Sequence, residues 1–214
     1  MQQLIVEHWR VHYREAARGV VVPDGCRDII FFHHGEWRRK LTLTELDSCA
    51  YRVEGAAGDR YEGFRLRPDC VIDGGRLRRY LDDPRLTPDH PRLMSIIHDT
   101  VSVDGQLAEA LQALQEIGDL SGASQLLGVS GRTFERLVKS KTGKSPLFWL
   151  RLLRMRRTAA MLAASGSALS EVALDGGYCD QSHMNREFRL WLGITPAALR
   201  TDTRWQQAFV KGYD

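Results

Sequence analysis

Along the first eighty positions, apolar residues fall in short runs or alternate with polar ones, the pattern of strands with one covered face. Gly19-Val20-Val21-Val22 is a short apolar run closed by the turn Pro23-Asp24-Gly25. Arg27-Asp28-Ile29-Ile30-Phe31-Phe32-His33 is β-branched and aromatic, and His34-Gly35 reads as the turn that ends it. Residues 51–55 and 61–67 alternate apolar with polar, and Pro68-Asp69 and Asp73-Gly74-Gly75 are breakers. Pro84, Pro88 and Pro91, set among aspartates, mark a connection.

Beyond it the period becomes helical. Leu107, Leu111, Leu114 and Ile117 predict a helix over 104–116 that Gly118 stops. Ser121 is expected to cap a short helix running to Leu127, with Gly128 as its end. Ser130 caps the next, whose inward stripe is Phe134, Leu137 and Val138. Ser145-Pro146 opens a long helix to about Ala164, where proline in the first turn costs no hydrogen bond. Its stripe is Phe148, Leu152, Met155, Ala159 and Leu162, and Arg151, Arg154 and Arg157 lie off it. Ser165-Gly166-Ser167 breaks it, and helices over 170–175, 180–192 and 195–201 follow. The fold class expected is α+β. A small β-rich domain over 1–82 precedes a linker over 83–103. An all-α domain over 104–202 holds two helix-turn-helix motifs joined by the long helix, and 203–214 is a tail.

The two motifs repeat at about fifty residues. Ser130-Gly131-Arg132-Thr133-Phe134-Glu135-Arg136 leads to Gly143-Lys144-Ser145-Pro146, and Asp180-Gln181-Ser182-His183-Met184-Asn185-Arg186 leads to Gly193-Ile194-Thr195-Pro196. Each begins with a capping residue that satisfies orphan amides. Each then places polar side chains at i, i+3, i+4 and i+7: Arg132, Glu135, Arg136 and Lys139 in one, Ser182, Asn185, Arg186 and Arg189 in the other. A helix of short polar and guanidinium side chains can meet base edges, because arginine pairs with guanine and asparagine with adenine through two hydrogen bonds each. The connecting helix spans roughly 28 Å, close to the roughly 34 Å of one turn of duplex DNA. One chain is thereby suited to two successive major grooves.

Composition adds less. The 214 residues carry a net charge of +3 and 43% hydrophobic residues, ordinary for a globular protein. The charge is uneven: Arg132, Arg136, Lys139, Lys141, Lys144, Arg151, Arg154, Arg156 and Arg157 cluster against Glu135 alone. Such a block attracts polyanions, and a solvated helix face is the plainer explanation of any such run. The start lacks the basic region and apolar core of a signal peptide and no apolar run is long enough to span a membrane, so a cytoplasmic, nucleoid-associated protein is expected. Cys26, Cys49, Cys70 and Cys179 are scattered, with no CxxC, and read as reduced thiols rather than a metal or redox site. No cofactor and no metal are expected.

Residues 119–200 resemble the two-headed helix-turn-helix domain of AraC/XylS-type bacterial transcription regulators. The likeness is carried by Leu127-Gly128-Val129-Ser130, Thr142-Gly143-Lys144-Ser145-Pro146 and Leu150-Arg151-Leu152-Leu153-Arg154-Met155. It is densest over residues 172–188 and closes with Trp191-Leu192-Gly193-Ile194-Thr195-Pro196 and Arg200. It departs at Gly131, where proline is usual, at Gly122 inside the first short helix, and at Thr158, where alanine is usual. The resemblance implies base reading near Arg132, Glu135 and Arg136, and near Gln181, Ser182, His183, Asn185 and Arg186. It implies phosphate contacts from Ser130, Thr133, Lys139, Lys144 and Arg189. Residues 22–31 resemble, more weakly, a reduced cupin-like domain, supported by Phe64-Arg65-Leu66-Arg67-Pro68. In the family such domains sense effectors or contact protein partners. Asp24 reads first as a turn residue and second as an effector ligand, and Arg65 and Arg67 are candidates for an anionic effector. His33-His34 lacks the spaced glutamate and histidine of a cupin metal set.

The function expected is therefore a sequence-specific DNA-binding transcription regulator, and an activator. Its partners would be double-stranded DNA and RNA polymerase, with a small-molecule effector or a regulatory protein and no membrane, as monomer or homodimer. Two alternatives stand beside it. One is a cysteine-dependent DNA alkyl-repair enzyme, which needs an activated thiolate at Cys26 or Cys70. The other is a co-activator acting mainly through protein binding.

Overall fold

The computed structural model describes residues 4–34, 38–81, 83 and 85–210, without the side chains of 38, 39, 81 and 210. Gly35 of the expected turn, Pro84 of the expected linker and the last four residues of the expected tail lie outside them. In chain order the first elements are β1 (Ile5–His12), β2 (Ala17–Val21), β3 (Arg27–His34), β4 (Arg38–Leu43), β5 (Tyr51–Gly55), β6 (Asp59–Leu66), β7 (Cys70–Ile72), α1 (Gly74–Leu81), α2 (Leu93–Thr100) and β8 (Val101–Val103). Helices follow: α3 (Gly105–Ile117), α4 (Leu120–Leu126), α5 (Gly131–Thr142), α6 (Pro146–Ala164), α7 (Leu169–Asp175), α8 (Gln181–Leu192), α9 (Pro196–Thr201) and α10 (Thr203–Val210). An N-terminal β-rich region thus precedes a helical one. No helix among the described residues is long and apolar enough to cross a membrane.

Two compact units divide the chain, and the division is not a single cut. One gathers Met1–Arg18, Cys26–Leu46 and Glu54–Ala108, and the other Gly19–Gly25, Asp47–Val53 and Glu109–Asp214. In the first unit a four-stranded antiparallel sheet has the order β1-β6-β3-β4. Register sets Ile29 opposite Phe64 and Leu43, and Phe31 opposite Leu41. The period of two in β3 then buries Ile29 and Phe31 on one face, with Phe64 and Leu66 of β6, against Leu77, Leu93, Ile96 and Ile97.

The region 83–103, expected as a linker, holds α2 and β8 and belongs to this first unit. Leu93, Ile96, Ile97 and Thr100 bury one side of α2, and Val101–Val103 pairs antiparallel with Cys70–Ile72. Asp73-Gly74-Gly75 breaks one element and starts another: the Asp73 carboxylate accepts from the Arg76 amide at 2.9 Å at the head of α1. The stretch expected as a tail carries α10, led in by Asp202, whose carboxylate accepts from the Arg204 amide at 3.0 Å.

In the second unit α6 is the central element. Trp149, Leu150, Leu152, Met155, Thr158, Ala159 and Leu162 are buried along it, so the covered surface is wider than the expected stripe, and Phe148 is half-buried. Asp119, not Ser121, caps α4: its carboxylate accepts from the Gly122 amide at 2.7 Å, and Ser121 lies inside the helix.

Candidate nucleic-acid interface

The two heads are built by the same backbone logic. In the first, Leu127 caps the end of α4, Gly128 turns with φ +65°, and Val129 donates its amide to the Ser124 carbonyl at 3.0 Å. In the second, Gly176 caps the end of α7, Gly177 turns with φ +82°, and Tyr178 donates to the Ala173 carbonyl at 2.9 Å. Positive φ is the reason for glycine at both turns. Ser124 and Ala173 are buried at matching places, where small side chains let the paired helices cross closely. The second turn is longer by Cys179, which lies between Tyr178 and the cap.

Each second helix of the two heads, α5 and α8, opens on a working cap. The Ser130 hydroxyl accepts from the Thr133 amide at 3.2 Å, and the Asp180 carboxylate accepts from the His183 amide at 2.6 Å. Each closes on a left-handed glycine, Gly143 or Gly193. Phe134 and Val138 bury one side of α5, and Met184, Phe188 and Trp191 one side of α8. The opposite sides carry the sequence-predicted readers. Arg132, Glu135, Arg136 and Lys139 are exposed together on α5. Ser182, Arg186 and Arg189 are exposed on α8, with Gln181, His183 and Asn185 half-buried beside them. Among the described residues the side chains of Arg132, Arg136, Lys139, Arg186 and Arg189 have no carboxylate partner. His183 is held locally, edge-on to Tyr178 with ring centroids 5.2 Å apart and its Nδ1 accepting from the Cys179 amide at 3.4 Å. The Ser130 and Thr133 hydroxyls lie 3.0 Å apart at the cap of α5.

The rest of the basic block is engaged inside the helical unit. Glu187, 2% exposed, sits under α8 and takes Arg151 Nε on one oxygen and an Arg154 nitrogen at 3.0 Å on the other. Arg154 also donates to the Gly177 carbonyl at 3.3 Å and lies 4.8 Å over the Tyr178 ring. Burial, with the Glu187 charge nearby, pushes the Tyr178 hydroxyl well above its ordinary pKa, so the ring stays neutral beneath the guanidinium. Arg157 donates to the Asp175 carbonyl at 3.4 Å and Arg156 to the Pro23 carbonyl at 3.2 Å. Lys144 gives its ammonium to Ser48 at 2.8 Å and lies 5.1 Å over Phe148. Counting charge between 130 and 160 finds these cations but misses Glu187, which lies outside that window. The available signal was an acid at an inward position of the Met184, Phe188, Trp191 stripe.

The three candidate effector residues do not share a unit. Asp24 belongs to the 19–25 segment of the helical unit, and Arg65 and Arg67 to the other. Arg65 donates to Glu7 at 2.8 Å and lies 3.3 Å from Asp28, and Arg67 grips Asp69 with two nitrogens at 2.8 and 2.5 Å. Arg65 is paired with carboxylates of its own sheet and Arg67 with the carboxylate of the turn that follows β6. The four thiols are unbridged, Cys26 and Cys70 being buried. Burial pushes Cys70 up to about 11, away from the thiolate that an alkyl acceptor needs.

Two helix-turn-helix heads, capped alike and packed on one connecting helix, define a two-headed helix-turn-helix protein. Residues 123–202 match the family described as a helix-turn-helix domain. The chain is 28% identical over 119 residues to the HTH-type transcriptional regulator ExsA of Pseudomonas aeruginosa, covering 53% of this chain and 42% of that protein. It is 26% identical over 212 residues to the HTH-type transcriptional regulator ArgR of the same species, covering 94% and 59%. It thus spans less than two thirds of either relative. Among solved structures it matches the DNA-binding domain of AdpA, a global transcriptional factor solved in complex with a target DNA, at 33% identity over 47% of this chain and 95% of that one, with a TM-score of 0.41. Residues 123–202 form an AraC-type helix-turn-helix domain, and the two relatives named are HTH-type transcriptional regulators.

Proposed function

We propose that this chain is a sequence-specific transcription activator that sets α5 and α8 into successive major grooves of duplex DNA and works beside RNA polymerase. The observation that carries this reading is the pair of exposed faces whose arginines and lysine lack carboxylate partners among the described residues, each on a capped helix behind a matched turn. Arg132, Glu135 and Arg136 would read bases from the first head, and Gln181, Ser182, His183, Asn185 and Arg186 from the second. Ser130, Thr133, Lys139, Lys144 and Arg189 would hold phosphates. The β-rich region would sense an effector or contact a protein. The pairing of Arg65 and Arg67 with carboxylates favours protein contact over an anionic effector at those residues. The buried, unactivated Cys70 argues against alkyl repair.

Selection of bound duplexes from a random-sequence library with the purified chain tests the reading. A two-part site with centres about one helical turn apart is expected. Arg136→Ala and Arg186→Ala should each cost roughly 1–3 kcal/mol of discrimination, each at one part of that site only. Recovery of no preferred sequence would sink the proposal.

A further inference from the structure

We propose that Glu187 is a positioning residue for the second head: through Arg151 and Arg154 of α6 it fixes the rotation of α8, and with it the aim of Asn185 and Arg186. The inference rests on the DNA-reading function proposed above.

Glu187 occupies an inward position of α8 and is 2% exposed, where a carboxylate is costly unless it is paired on both oxygens. It is so paired. Arg151 and Arg154, one turn apart on α6, each take one of its oxygens. Such a fork is directional in a way that apolar packing is not. A rotation of α8 about its axis would break one of the two contacts. Successive helical residues point about 100° apart, so the inward direction of Glu187 sets the outward directions of Arg186 and Asn185, its two predecessors. Base-edge hydrogen bonds tolerate only about 0.5 Å of misplacement.

Arg154 extends the hold to the turn. It reaches the Gly177 carbonyl at 3.3 Å and covers the Tyr178 ring at 4.8 Å, so one side chain ties α6, the turn and α8 together. Among the described residues the first head has no equivalent. Leu137 stands at the matching place of α5, half-buried and apolar. The network also withdraws Arg151 and Arg154 from the basic block that the sequence suggests would attract polyanions.

The test uses the full chain and the duplex that the wild-type chain itself selects, together with versions in which either part of the site is scrambled. Asn185→Ala identifies the part read by the second head. Glu187→Gln keeps the shape and removes the charge, and Glu187→Leu copies the first head and leaves both arginines without their carboxylate. Both variants should lose tenfold or more of the discrimination between the intact site and the one scrambled at the second part. Discrimination at the first part should stay within twofold, measured well below the thermal midpoint of each variant. Glu187→Leu should also bind scrambled duplex with a steeper salt dependence, because Arg151 and Arg154 become available to phosphates. A role limited to stability would lower binding to both parts alike and leave the salt slope unchanged. That result, or full second-part discrimination in either variant, overturns the proposal. If the wild-type chain selects no sequence, it is the DNA-reading function that has failed.

Discussion

At the scale of single residues, the departures from the family pattern become packing statements. Thr158, where alanine is usual, is fully buried and donates its hydroxyl to the Arg154 carbonyl at 2.9 Å. Its Oγ1 would lie 2.4 Å from a Cβ built on Gly176, the residue that closes α7, and the Val172 carbonyl 2.9 Å from it, so threonine on α6 requires glycine there. Gly176→Ala should therefore destabilise the helical unit by roughly 1–3 kcal/mol, the usual cost of overpacking. Thr158→Ala in the same chain should recover part of that loss. Chemical denaturation of the two single variants and the double measures the coupling, and strict additivity would show that the two residues do not meet. The exposed polar faces and the caps of α5 and α8 were legible because both are local: a cap acts on amides three residues away, and i, i+3, i+4, i+7 is visible in any window. Glu187 was not, because its partners Arg151 and Arg154 lie more than thirty residues earlier in the chain. Short-range cues also misplaced a cap where two compete. Asp119 and Ser121 both precede α4, and the carboxylate is the one positioned to accept from Gly122.

At the scale of elements, the basic stretch separates into an outer face on α5 and an inner set on α6. Outer cations should act on DNA as phosphate contacts do, weakening every sequence alike when removed. Lys139→Ala and Arg189→Ala should each flatten the logarithmic salt dependence of binding by about one unit. Arg156→Ala should leave that slope where it was, since Arg156 serves the Pro23 carbonyl and lies over Phe209. Titration of one duplex at several salt concentrations distinguishes the two sets, and equal slopes for all three variants would contradict the division. The caps belong to the same scale: Asp180→Ala should cost about 0.5–2 kcal/mol of stability by leaving the His183 amide without its acceptor. Helices of the second unit were readable because their apolar stripes are continuous. Strand β1 was not, because a register shift between Ile5 and Glu7 breaks its period of two, and Val6 and Val11 are exposed while Ile5 and Trp9 are half-buried. Its pairing comes from β6, more than fifty residues away. Helix α2 had a readable stripe in Leu93, Ile96 and Ile97, outweighed in the sequence by Pro84, Pro88 and Pro91 before it.

At the scale of the whole chain, the sequence suggests a boundary between β-rich and helical parts, and the structure runs segments of the first into the second. Gly19–Gly25 and Asp47–Val53 belong to the helical unit. Gly25 backs so closely on α6 that a Cβ there would come within 2.7 Å of the Trp149 ring and 3.2 Å of Leu152. The Ala50 amide donates to the Trp191 carbonyl at 2.6 Å at the end of α8, and Ser48 holds the Lys144 ammonium just after α5. One short segment therefore touches the C-terminal ends of both α5 and α8. A fragment consisting of 104–214 would lose these contacts and uncover Trp149 and Leu152, two large buried side chains whose exposure carries the cost of lost apolar burial. Its helical unit should melt at a lower temperature than in the full chain, followed by far-ultraviolet circular dichroism. Lys144, released from Ser48, should add about one unit to the salt slope of DNA binding by the fragment. A fragment with the melting temperature and salt slope of the full chain would mean that the two segments contribute neither stability nor restraint on Lys144. The larger slope with the lower melting temperature would make them a built-in check on phosphate binding, supplied by the β-rich half of the chain.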